Sequence, residues 1–402
     1  MPRFSDLFLS AAACCVLVAL ALPASPSRAT EARAPEARAP GAGTPEQLAA
    51  PFVGGEGGYA VYRIPSLVVT RAGTLLAFAE GRVSIDDHAR NKIVLRRSTD
   101  GGRTWGPLQV VAGDGRESLN NPTAVVLHGS GRVVLMYQRY PESGGERHVK
   151  EGVAGDDTCL SFVTASDDDG RTWSEPADVT PQVKRPTGAT SVASGPGVGT
   201  ELRRGKHAGR IVFPFNQGPL GDCQVYAAYS DDGGKSWKYG AVAPAGADGR
   251  GNEVQMVELS DGRIMLNSRG SSGKHFRKVA VSADGGESWS PLRDDAALPE
   301  SQCQASILRY DEPTGAGKGS ILFVNPAVQK ERTHGTVRLS EDDGATWPVS
   351  RELVPGDFAY SCLAVLPDRS VACLYETDNY RRIALVHFTT DWLRGGPEAR
   401  RP

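Results

Sequence analysis

One arginine stands where a core residue would be expected. The stretch "VYRIPSLVVT", Val61 to Thr70, is apolar and β-branched on both sides of Arg63, so it predicts a β-strand that carries a permanent charge. A guanidinium is always protonated and offers a planar fork of N–H donors that can bind a carboxylate through two bonds. The position of Arg63 therefore indicates a ligand-binding role rather than a solvated surface charge.

An internal repeat indicates which elements position this residue. The pattern S-x-D-x-G-x-[ST]-W occurs five times, as "STDGGRTW" (98–105), "SDDDGRTW" (166–173), "SDDGGKSW" (230–237), "SADGGESW" (282–289) and "SEDDGATW" (340–347). Successive copies are 68, 64, 52 and 58 residues apart, and short alternating runs bounded by Gly, Asp or Pro lie between them. This spacing is typical of four-stranded blades around an axis.

Each repeat has a local structural role. Its Asp side chain can accept hydrogen bonds from backbone N–H groups in the turn, its Gly can take the position with positive φ, and its Trp ring can pack on the blade. The Asp-rich form "SDDDG" lacks the glutamate that completes an EF-hand loop, which argues against calcium. We therefore place no residue of the repeats in a catalytic site.

The repeats also carry a resemblance to a known family. The pattern is similar to the Asp box of the sialidase superfamily, and "YRIP" lies upstream of the first box as it does there. The resemblance to exported bacterial sialidases covers nearly the whole mature chain. It implies an all-β fold, a six-bladed β-propeller, in which one blade lacks its box. It also implies a retaining exo-α-sialidase that releases terminal α-linked sialic acids.

The resemblance assigns three arginines to the carboxylate that a sialic acid bears on its anomeric carbon. They are Arg63, Arg269 in "IMLNSRG" and Arg332 in "NPAVQKERTHGTVRLS", which match the family's motifs in kind and order. Arg277 and Arg338 are neighbouring alternatives. Arg338 lies in a strand that leads into the fifth box, so Arg332 is favoured.

The nucleophile is predicted to be a phenol. An Asp or Glu would approach this carbon against the charge of the substrate carboxylate, whereas a neutral tyrosine would not. Tyr360 in "DFAYSCLAVLPD" stands where the family's nucleophile stands, and Glu253 in "RGNEVQMVELSDGR" matches its partner base. The base is required because an unassisted phenol is a weak nucleophile at neutral pH.

Three further residues are assigned by the same resemblance. Asp87 in "SIDDHAR" matches the acid/base, and Asp86 is the alternative if the loop is aligned from its other end. Glu376 in "CLYETDN" matches the acidic partner of Arg63. Arg82 resembles a contact to a ring hydroxyl, with a surface ion pair as the alternative. In the family, a specificity wall surrounds the N-acyl and glycerol groups of the sugar. The segments "NNPTAVVL" and "YQRYPESGGERH" lie where this wall is built but match it only loosely.

The first residues of the chain predict export. Residues 1–29 contain Arg3, an apolar run and a small-residue exit, which are typical of a secretory signal peptide; an uncleaved anchor is the alternative. The Ala/Pro/Glu-rich residues 30–50 read as a disordered linker, 51–394 as the propeller and 395–402 as a tail. We therefore expect a secreted enzyme.

Composition argues against nucleic-acid binding, membrane insertion and metal binding. A formal net charge of −2 with mixed signs argues against a nucleic-acid surface, and the mature part has no long apolar stretch for membrane insertion. Its five cysteines are scattered, and no His/Cys cluster has metal-ligand spacing, so no cofactor or metal is expected. We expect a monomer whose partners are sialylated glycans.

Three other functions stay open at this stage. A trans-sialidase would share every residue named above and differ in its acceptor site. A glycosidase for another nonulosonic acid would differ in the specificity wall. A non-catalytic sialoglycan-binding lectin would keep the arginines and lose Tyr360, Glu253 or Asp87, all of which are present.

Overall fold

The protein is built almost wholly from β-strands. The computed structural model describes residues 43–396 except 114, 143 and 272–273, so the predicted signal peptide and most of the predicted linker and tail lie outside the described residues. Within that part of the chain, 26 strands form six sheets, and the helical turns are short: Thr180–Val183, Gly205–His207 and Thr390–Leu393. The all-β, six-bladed β-propeller predicted above is confirmed.

The strands are numbered in chain order and their bounds follow sheet by sheet. β1 (Glu46–Val53) belongs to the sixth sheet. The first sheet contains β2 (Val61–Val69), β3 (Leu75–Arg82), β4 (Lys92–Ser98) and β5 (Gln109–Ala112). The second contains β6 (Ser118–Val126), β7 (Val133–Tyr140), β8 (Leu160–Ser166), β9 (Ala177–Asp178) and β11 (Gly197–Val198). The third contains β10 (Val192–Ser194), β12 (Thr200–Glu201), β13 (Ile211–Gln217), β14 (Gln224–Ser230) and β15 (Lys238–Tyr239).

The other three sheets have four strands each. The fourth contains β16 (Gly251–Glu258), β17 (Ile264–Gly270), β18 (Phe276–Ser282) and β19 (Arg293–Pro299). The fifth contains β20 (Ser306–Asp311), β21 (Ser320–Pro326), β22 (Thr333–Ser340) and β23 (Val349–Asp357). The sixth contains β24 (Ser361–Val365), β25 (Val371–Thr377), β26 (Arg382–Phe388) and β1.

Contacts between sheets run around a closed ring. Strand β2 contacts both β6 and β24, β20 contacts both β16 and β24, and the third sheet joins the ring through β10 beside β6 and β13 beside β16. Apolar side chains fill the space between neighbouring sheets; Met136 of the second sheet, for example, belongs to the same core cluster as Phe213 and Phe215 of the third. The first strand of each sheet therefore lies near the axis, where a ligand can be reached from several sheets.

The ring is closed by the start of the described chain. β1 pairs antiparallel with β26, with Glu46 opposite His387 and Val53 opposite Arg382, and so supplies the fourth strand of the sixth sheet. The predicted linker boundary at residue 50 is therefore wrong, because the propeller begins at Glu46. The segment "EQLAAPFV" has only a weak β pattern, because it contains two alanines and a proline.

The five eight-residue repeats form turns with one hydrogen-bond pattern, each between the third and fourth strands of a sheet. In the turn after β14, the Ser230 hydroxyl donates to Asp232 (2.8 Å), and that carboxylate accepts from the Ser236 amide (2.9 Å) and hydroxyl (2.6 Å). The same bonds recur around Asp100, Asp168, Asp284 and Asp342. The sixth sheet has no such turn in the described chain, since its fourth strand is β1.

The strand order places the predicted site residues and the repeat turns on opposite faces of the ring. In an antiparallel sheet the start of the first strand, the end of the second and the start of the third lie at one edge. Arg63, Arg82, Glu253, Arg269 and Glu376 all belong to strands that place them near this edge. The repeat turns follow the third strand and lie at the opposite edge. No helix in the described residues has the length and apolar character that crossing a membrane requires.

We predict that ring closure depends on the buried side chain of β1. Phe52 is 1% exposed and packs with Tyr62, so Phe52→Ala should lower the free energy of unfolding by about 3–5 kcal/mol, measured by urea denaturation. Ala49→Ser, at an exposed position of the same strand, should change it by less than about 0.5 kcal/mol. Equal effects of the two changes would show that β1 is not part of the folded core.

Candidate active site

A bulge in β2 turns Arg63 out of the regular strand. The pairing of β2 with β3 shifts between Arg63 and Ser66, and Ile64 has φ of 62°, a left-handed conformation that a β-branched residue rarely adopts. Glu376 on β25 stabilises this arrangement. Its Oε1 accepts from the Arg63 Nε (2.7 Å) and from the Ile64 amide (2.8 Å). One carboxylate therefore fixes both the guanidinium and the strained backbone beside it.

The pair is buried, so its members depend on each other. The Glu376 side chain is fully buried and its Oε2 also accepts from the Tyr360 amide at 3.3 Å. Burial acts to lower the pKa of Arg63, but the charge of Glu376 and its hydrogen bond outweigh this and raise that pKa. Removing either partner would leave an unpaired buried charge, which typically costs about 3–5 kcal/mol.

Tyr360 lies at the centre of the site and bonds to Glu253. Its hydroxyl donates to Glu253 Oε1 and accepts from Arg269 Nη1 at 3.2 Å. Arg269 Nη1 also donates to the other oxygen of Glu253 at 2.9 Å. The three side chains come from β17, from the start of β16 and from the residue before β24, so three elements of two sheets build one cluster.

The surroundings keep the Tyr360 phenol protonated in the free protein. Burial raises the pKa of Tyr360 well above its ordinary value, and the negative charge of Glu253 raises it further, while Arg269 and Arg332 act in the opposite direction. A proton on this phenol therefore has one short path, to the Glu253 carboxylate that already accepts its hydrogen bond.

Arg332 is held by a residue that the sequence did not indicate. Its Nη1 donates to the Tyr380 hydroxyl (3.1 Å) and its Nη2 to the Gln302 carbonyl (3.3 Å). The Tyr380 ring also lies 4.2 Å from the Arg63 Cζ atom, a cation–π distance. Tyr380 ends a run of three left-handed residues after β25, and its own φ is 64°. Asp and Asn favour such a turn, but nothing in the sequence marks the tyrosine.

The three predicted arginines converge on one phenol. The Cζ atoms of Arg63 and Arg332 are each 5.3 Å from the centre of the Tyr360 ring, and Arg269 reaches its hydroxyl. They come from the first, fifth and fourth sheets. Such a group of cations has the charge and hydrogen-bond geometry to bind a carboxylate.

The two neighbouring arginines have structural partners instead. Arg277 is fully buried and donates to the Asn267 side chain (2.8 Å) and to the Cys303 carbonyl (2.8 Å). Arg338 donates to the side chain of Asn325 at 3.0 Å, within the fifth sheet. Neither is found in a hydrogen bond or ring contact with Tyr360 in the described structure, which agrees with the preference for Arg332.

Asp87 stands on the exposed loop between β3 and β4. Its side chain is 72% exposed, and its Oδ1 accepts from Arg82 Nη1 at 2.9 Å. Asp86, the alternative acid/base, accepts instead from the Ser84 hydroxyl at 2.9 Å. The surrounding protein displaces some of the water near this carboxylate, which acts to raise the pKa of Asp87. The charge and hydrogen bond of Arg82 outweigh this effect, and Arg63 adds to the lowering of this pKa.

Arg82 is not at the surface. It is 1% exposed and pairs with Glu80, which is fully buried, so the alternative of a surface ion pair is wrong. Sequence reasoning missed Glu80, although a signal existed. It is a carboxylate inside the apolar strand "LLAFAEGR", the same kind of anomaly that singles out Arg63.

The loosely matched wall segments contribute several side chains beside Asp87. The His88 ring lies 4.2 Å from the ring of Tyr140, and the Tyr140 hydroxyl donates to Glu146 at 3.4 Å. Burial raises the pKa of Glu146, and the negative charges of Asp87 and Glu253 raise it further. Glu146 therefore belongs to the same electrostatic environment as the predicted acid/base.

The fold and the site together indicate the class of protein. A six-bladed β-propeller gathers three arginines, a Tyr–Glu pair and an exposed carboxylate at one opening of its axis. Such a site can bind a carboxylate-bearing ligand, take a proton from a phenol and give a proton to a leaving group.

Comparisons of sequence agree with that class. Residues 73–373 match the family model of the BNR repeat-like domain. A sialidase from Micromonospora viridifaciens is 40% identical over 386 residues, covering 92% of this chain and 58% of that protein. An exo-alpha-sialidase from Arthroderma benhamiae is 30% identical and covers 85% of this chain and 86% of that protein. The chain belongs to the BNR repeat-like domain family and, within it, to the sialidases.

The similarity does not extend over the whole of every relative. The chain spans about three fifths of the length of the sialidases from Micromonospora viridifaciens and Bacteroides fragilis, 58% and 61%, respectively. The solved structure of Hadza microbial sialidase Hz136 has a TM-score of 0.74 at 29% identity, covering 83% of this chain and 67% of that one. The intramolecular trans-sialidase from Ruminococcus gnavus has a TM-score of 0.76, covering 86% of this chain and 98% of that one; at 21% identity it shows the fold alone.

We predict that Glu253 controls the ionisation of Tyr360. Glu253→Gln removes a negative charge and leaves Arg269 and Arg332 in place, so the pKa of Tyr360 should fall. Ultraviolet titration of this variant, minus that of the same variant carrying Tyr360→Phe, isolates the one phenol.

Glu258→Gln, at the far end of the same strand, is the matched control. The two glutamates are five positions apart in the strand, or about 17 Å at about 3.3 Å per residue. It should leave the titration unchanged. An unchanged or higher pKa in Glu253→Gln would contradict the assigned coupling.

Proposed function

We propose that the protein is an exo-α-sialidase that hydrolyses terminal α-linked sialic acids with retention of configuration. The observation that carries this proposal is the gathering of Arg63, Arg269 and Arg332 around a Tyr360 hydroxyl that bonds to Glu253. We further propose, as the sequence predicts, that the protein is secreted and acts on sialylated glycans.

Binding begins with the substrate carboxylate. The three guanidiniums offer charge-assisted hydrogen bonds to it, and its negative charge offsets three cations gathered in a partly buried space. Because that carboxylate is attached to the anomeric carbon, C2, fixing it also fixes the reacting carbon near the Tyr360 ring. Positioning of this kind can account for several kcal/mol of rate enhancement.

Glycosylation then needs a nucleophile and an acid. Glu253 takes the proton of Tyr360 as the phenol oxygen attacks C2, and Asp87 gives its proton to the oxygen of the departing aglycone. The bond from C2 to the aglycone breaks and a bond from C2 to the Tyr360 oxygen forms. The phenol is neutral before attack, so it meets no repulsion from the substrate carboxylate, unlike an Asp or Glu nucleophile.

The second half-reaction reverses these roles. Asp87 removes a proton from a water molecule, whose oxygen attacks C2 from the face that the aglycone left. The Tyr360 oxygen departs and recovers its proton from Glu253. Two displacements at one carbon leave the configuration unchanged.

Substrate binding should also prepare Asp87 for its first task. Arg63 and Arg82 hold the pKa of Asp87 below its ordinary value in the free protein. We call Arg63, Arg269 and Arg332 together the cradle. A carboxylate bound in this cradle would offset part of that positive charge, and so would raise the pKa of Asp87 toward a value at which it can hold a proton.

Hydrolysis and transfer share the glycosylation step and differ in the group that then attacks C2, which is water in hydrolysis and another hydroxyl in transfer. Intramolecular trans-sialidases are among the fold neighbours, with identities of 20% and 21%, too low to assign an activity. Analysis of the products in water, as free sialic acid or as an anhydro or transferred product, separates the possibilities. A lectin is less well supported, since Tyr360, Glu253 and Asp87 are all present.

We predict that Tyr360→Phe will lower turnover of a fluorogenic α-sialoside more than about a hundredfold, since the nucleophile is removed and the cradle is kept. The first product anomer seen by NMR with the wild type should be α. Tyr375→Phe, which removes another buried hydroxyl, bonded to Gln47 at 3.2 Å, is the control and should retain activity. A β anomer appearing first, or near-normal turnover by Tyr360→Phe, would exclude the tyrosyl intermediate.

We predict that Tyr380→Phe acts on binding. Loss of its hydroxyl removes one acceptor from Arg332, so KM should rise about 3- to 10-fold with kcat nearly unchanged, as expected for one lost hydrogen bond. Tyr380→Leu, which also removes the ring from Arg63, should raise KM further.

Tyr310→Phe is the control for this comparison. It removes a hydroxyl that donates to the Arg369 carbonyl at 2.8 Å, far from the site, and should leave KM unchanged. A fall in kcat at constant KM for Tyr380→Phe would place Tyr380 in the chemical step instead.

A further inference from the structure

Asp87 poses a mechanical problem for the proposed reaction. Its loop runs from Val83 to Arg90 along the surface, and its own side chain is 72% exposed. A surface aspartate ordinarily samples several rotamers, which costs free energy when one of them must be selected. A misplacement of about 1 Å in a catalytic group can lower a rate about a hundredfold. Something must therefore hold Asp87 in place.

The structure holds Asp87 at two points. Its carboxylate accepts from Arg82 Nη1 at 2.9 Å. Its backbone carbonyl accepts from the side-chain amides of Asn91 and Asn120, both at 2.7 Å. The side chain and the main chain of one exposed residue are thus fixed by three donors, which come from β3, from the residue before β4, and from β6.

All three donors meet at one further residue. Arg82 Nε donates to Glu80 Oε2 at 2.8 Å, and the amides of Asn91 and Asn120 donate to the same oxygen at 3.2 Å and 3.3 Å. The second oxygen, Glu80 Oε1, accepts from the backbone N–H of Asn121 at 2.7 Å. Every group that touches Asp87 in this network is therefore also bonded to Glu80.

We propose that Glu80 is a positioning residue for Asp87, which acts through Arg82, Asn91 and Asn120. Glu80 is 0% exposed and both of its oxygens accept hydrogen bonds from the protein, so it is not placed to touch a substrate. It fixes the three donors, and these fix the acid/base. This inference rests on the proposed function, because it requires Asp87 to transfer a proton.

The same contacts give Arg82 a role different from the predicted contact to a ring hydroxyl. Its Nε and Nη2 bond to Glu80, and its Nη1 lies within hydrogen-bond distance of three acceptors on the loop: the carbonyls of Ile85 and Asp86 and the carboxylate of Asp87. All three nitrogens of a side chain that is 1% exposed are engaged. Arg82 is the anchor of the loop.

The decisive test uses two leaving groups. A galactose aglycone needs a proton to depart, whereas 4-nitrophenol leaves readily as its anion. Glu80→Gln keeps the shape of the side chain but replaces one of its two acceptor oxygens by an NH₂ group. That group cannot accept from the N–H donors that face it. We expect kcat/KM to fall about a hundredfold for a sialyl-galactoside and less than about threefold for a 4-nitrophenyl α-sialoside, because only the first requires Asp87 as an acid.

A matched control separates positioning from general damage. Glu258 is also buried and accepts from the amides of Arg203 (3.0 Å) and Arg204 (2.9 Å), at the opposite end of the ring. Glu258→Gln should change both substrates equally and by little, even if it lowers the unfolding temperature. Should Glu80→Gln not fold, Asn91→Ala removes one of the three donors and should show the same selectivity at smaller size.

The outcomes are distinct. Equal losses for the two substrates, or no loss for either, in folded Glu80→Gln and Asn91→Ala would overturn the positioning role of Glu80 and leave the proposed function intact. A wild-type protein that cleaves neither substrate would overturn the proposed function, and this inference with it. Selective loss for the sialyl-galactoside alone supports both.

Discussion

The ion pair between Arg63 and Glu376 depends on closure of the ring, and the rest of the site depends on this pair. Its members are 313 positions apart in the chain and lie on the first and sixth sheets. They meet because β24 lies beside β2 and because β1 completes the last sheet. An arginine buried in the first sheet would be destabilising on its own, so the fold must close before this residue can be accommodated.

Around this pair, the site balances charge over short distances. Three guanidiniums lie near one phenol, while Glu376 and Glu253 neutralise Arg63 and Arg269, respectively. The rings of Tyr360 and Tyr380 further stabilise the guanidiniums through cation–π contacts. Such preorganised groups do not have to reorient when a ligand arrives, which is the main physical source of electrostatic catalysis. The Glu80 network applies the same principle to Asp87.

The two faces of the ring divide stability and chemistry between them. Each repeat turn has an aspartate that accepts hydrogen bonds from backbone and hydroxyl donors of the same turn. The opposite face carries bulges and left-handed residues such as Ile64, Asn121 and Tyr380, which lie beside the residues of the proposed site. Left-handed residues other than glycine also occur in the repeat turns, at Asp169 and Asp343, but the β-branched Ile64 lies on the face of the proposed site, where the buried Glu376 carboxylate accepts from its amide.

The repeats predict the blade architecture from the order of the amino acids, because they are local patterns, whereas most of the proposed site is predicted through a resemblance to a known family. The repeats fix a turn through contacts within eight residues, and Arg63 was visible as a charge inside an apolar strand. Three features could be found only in the folded protein: β1 begins at Glu46, Tyr380 contacts two arginines, and Glu80 bonds to the three donors that hold Asp87. The start of β1 and the partners of Glu80 depend on contacts between segments distant in the chain, and the position of Tyr380 depends on a side chain turned by a left-handed residue. Glu80 itself stands out in the sequence as a charge inside an apolar strand, but the groups that it bonds to do not.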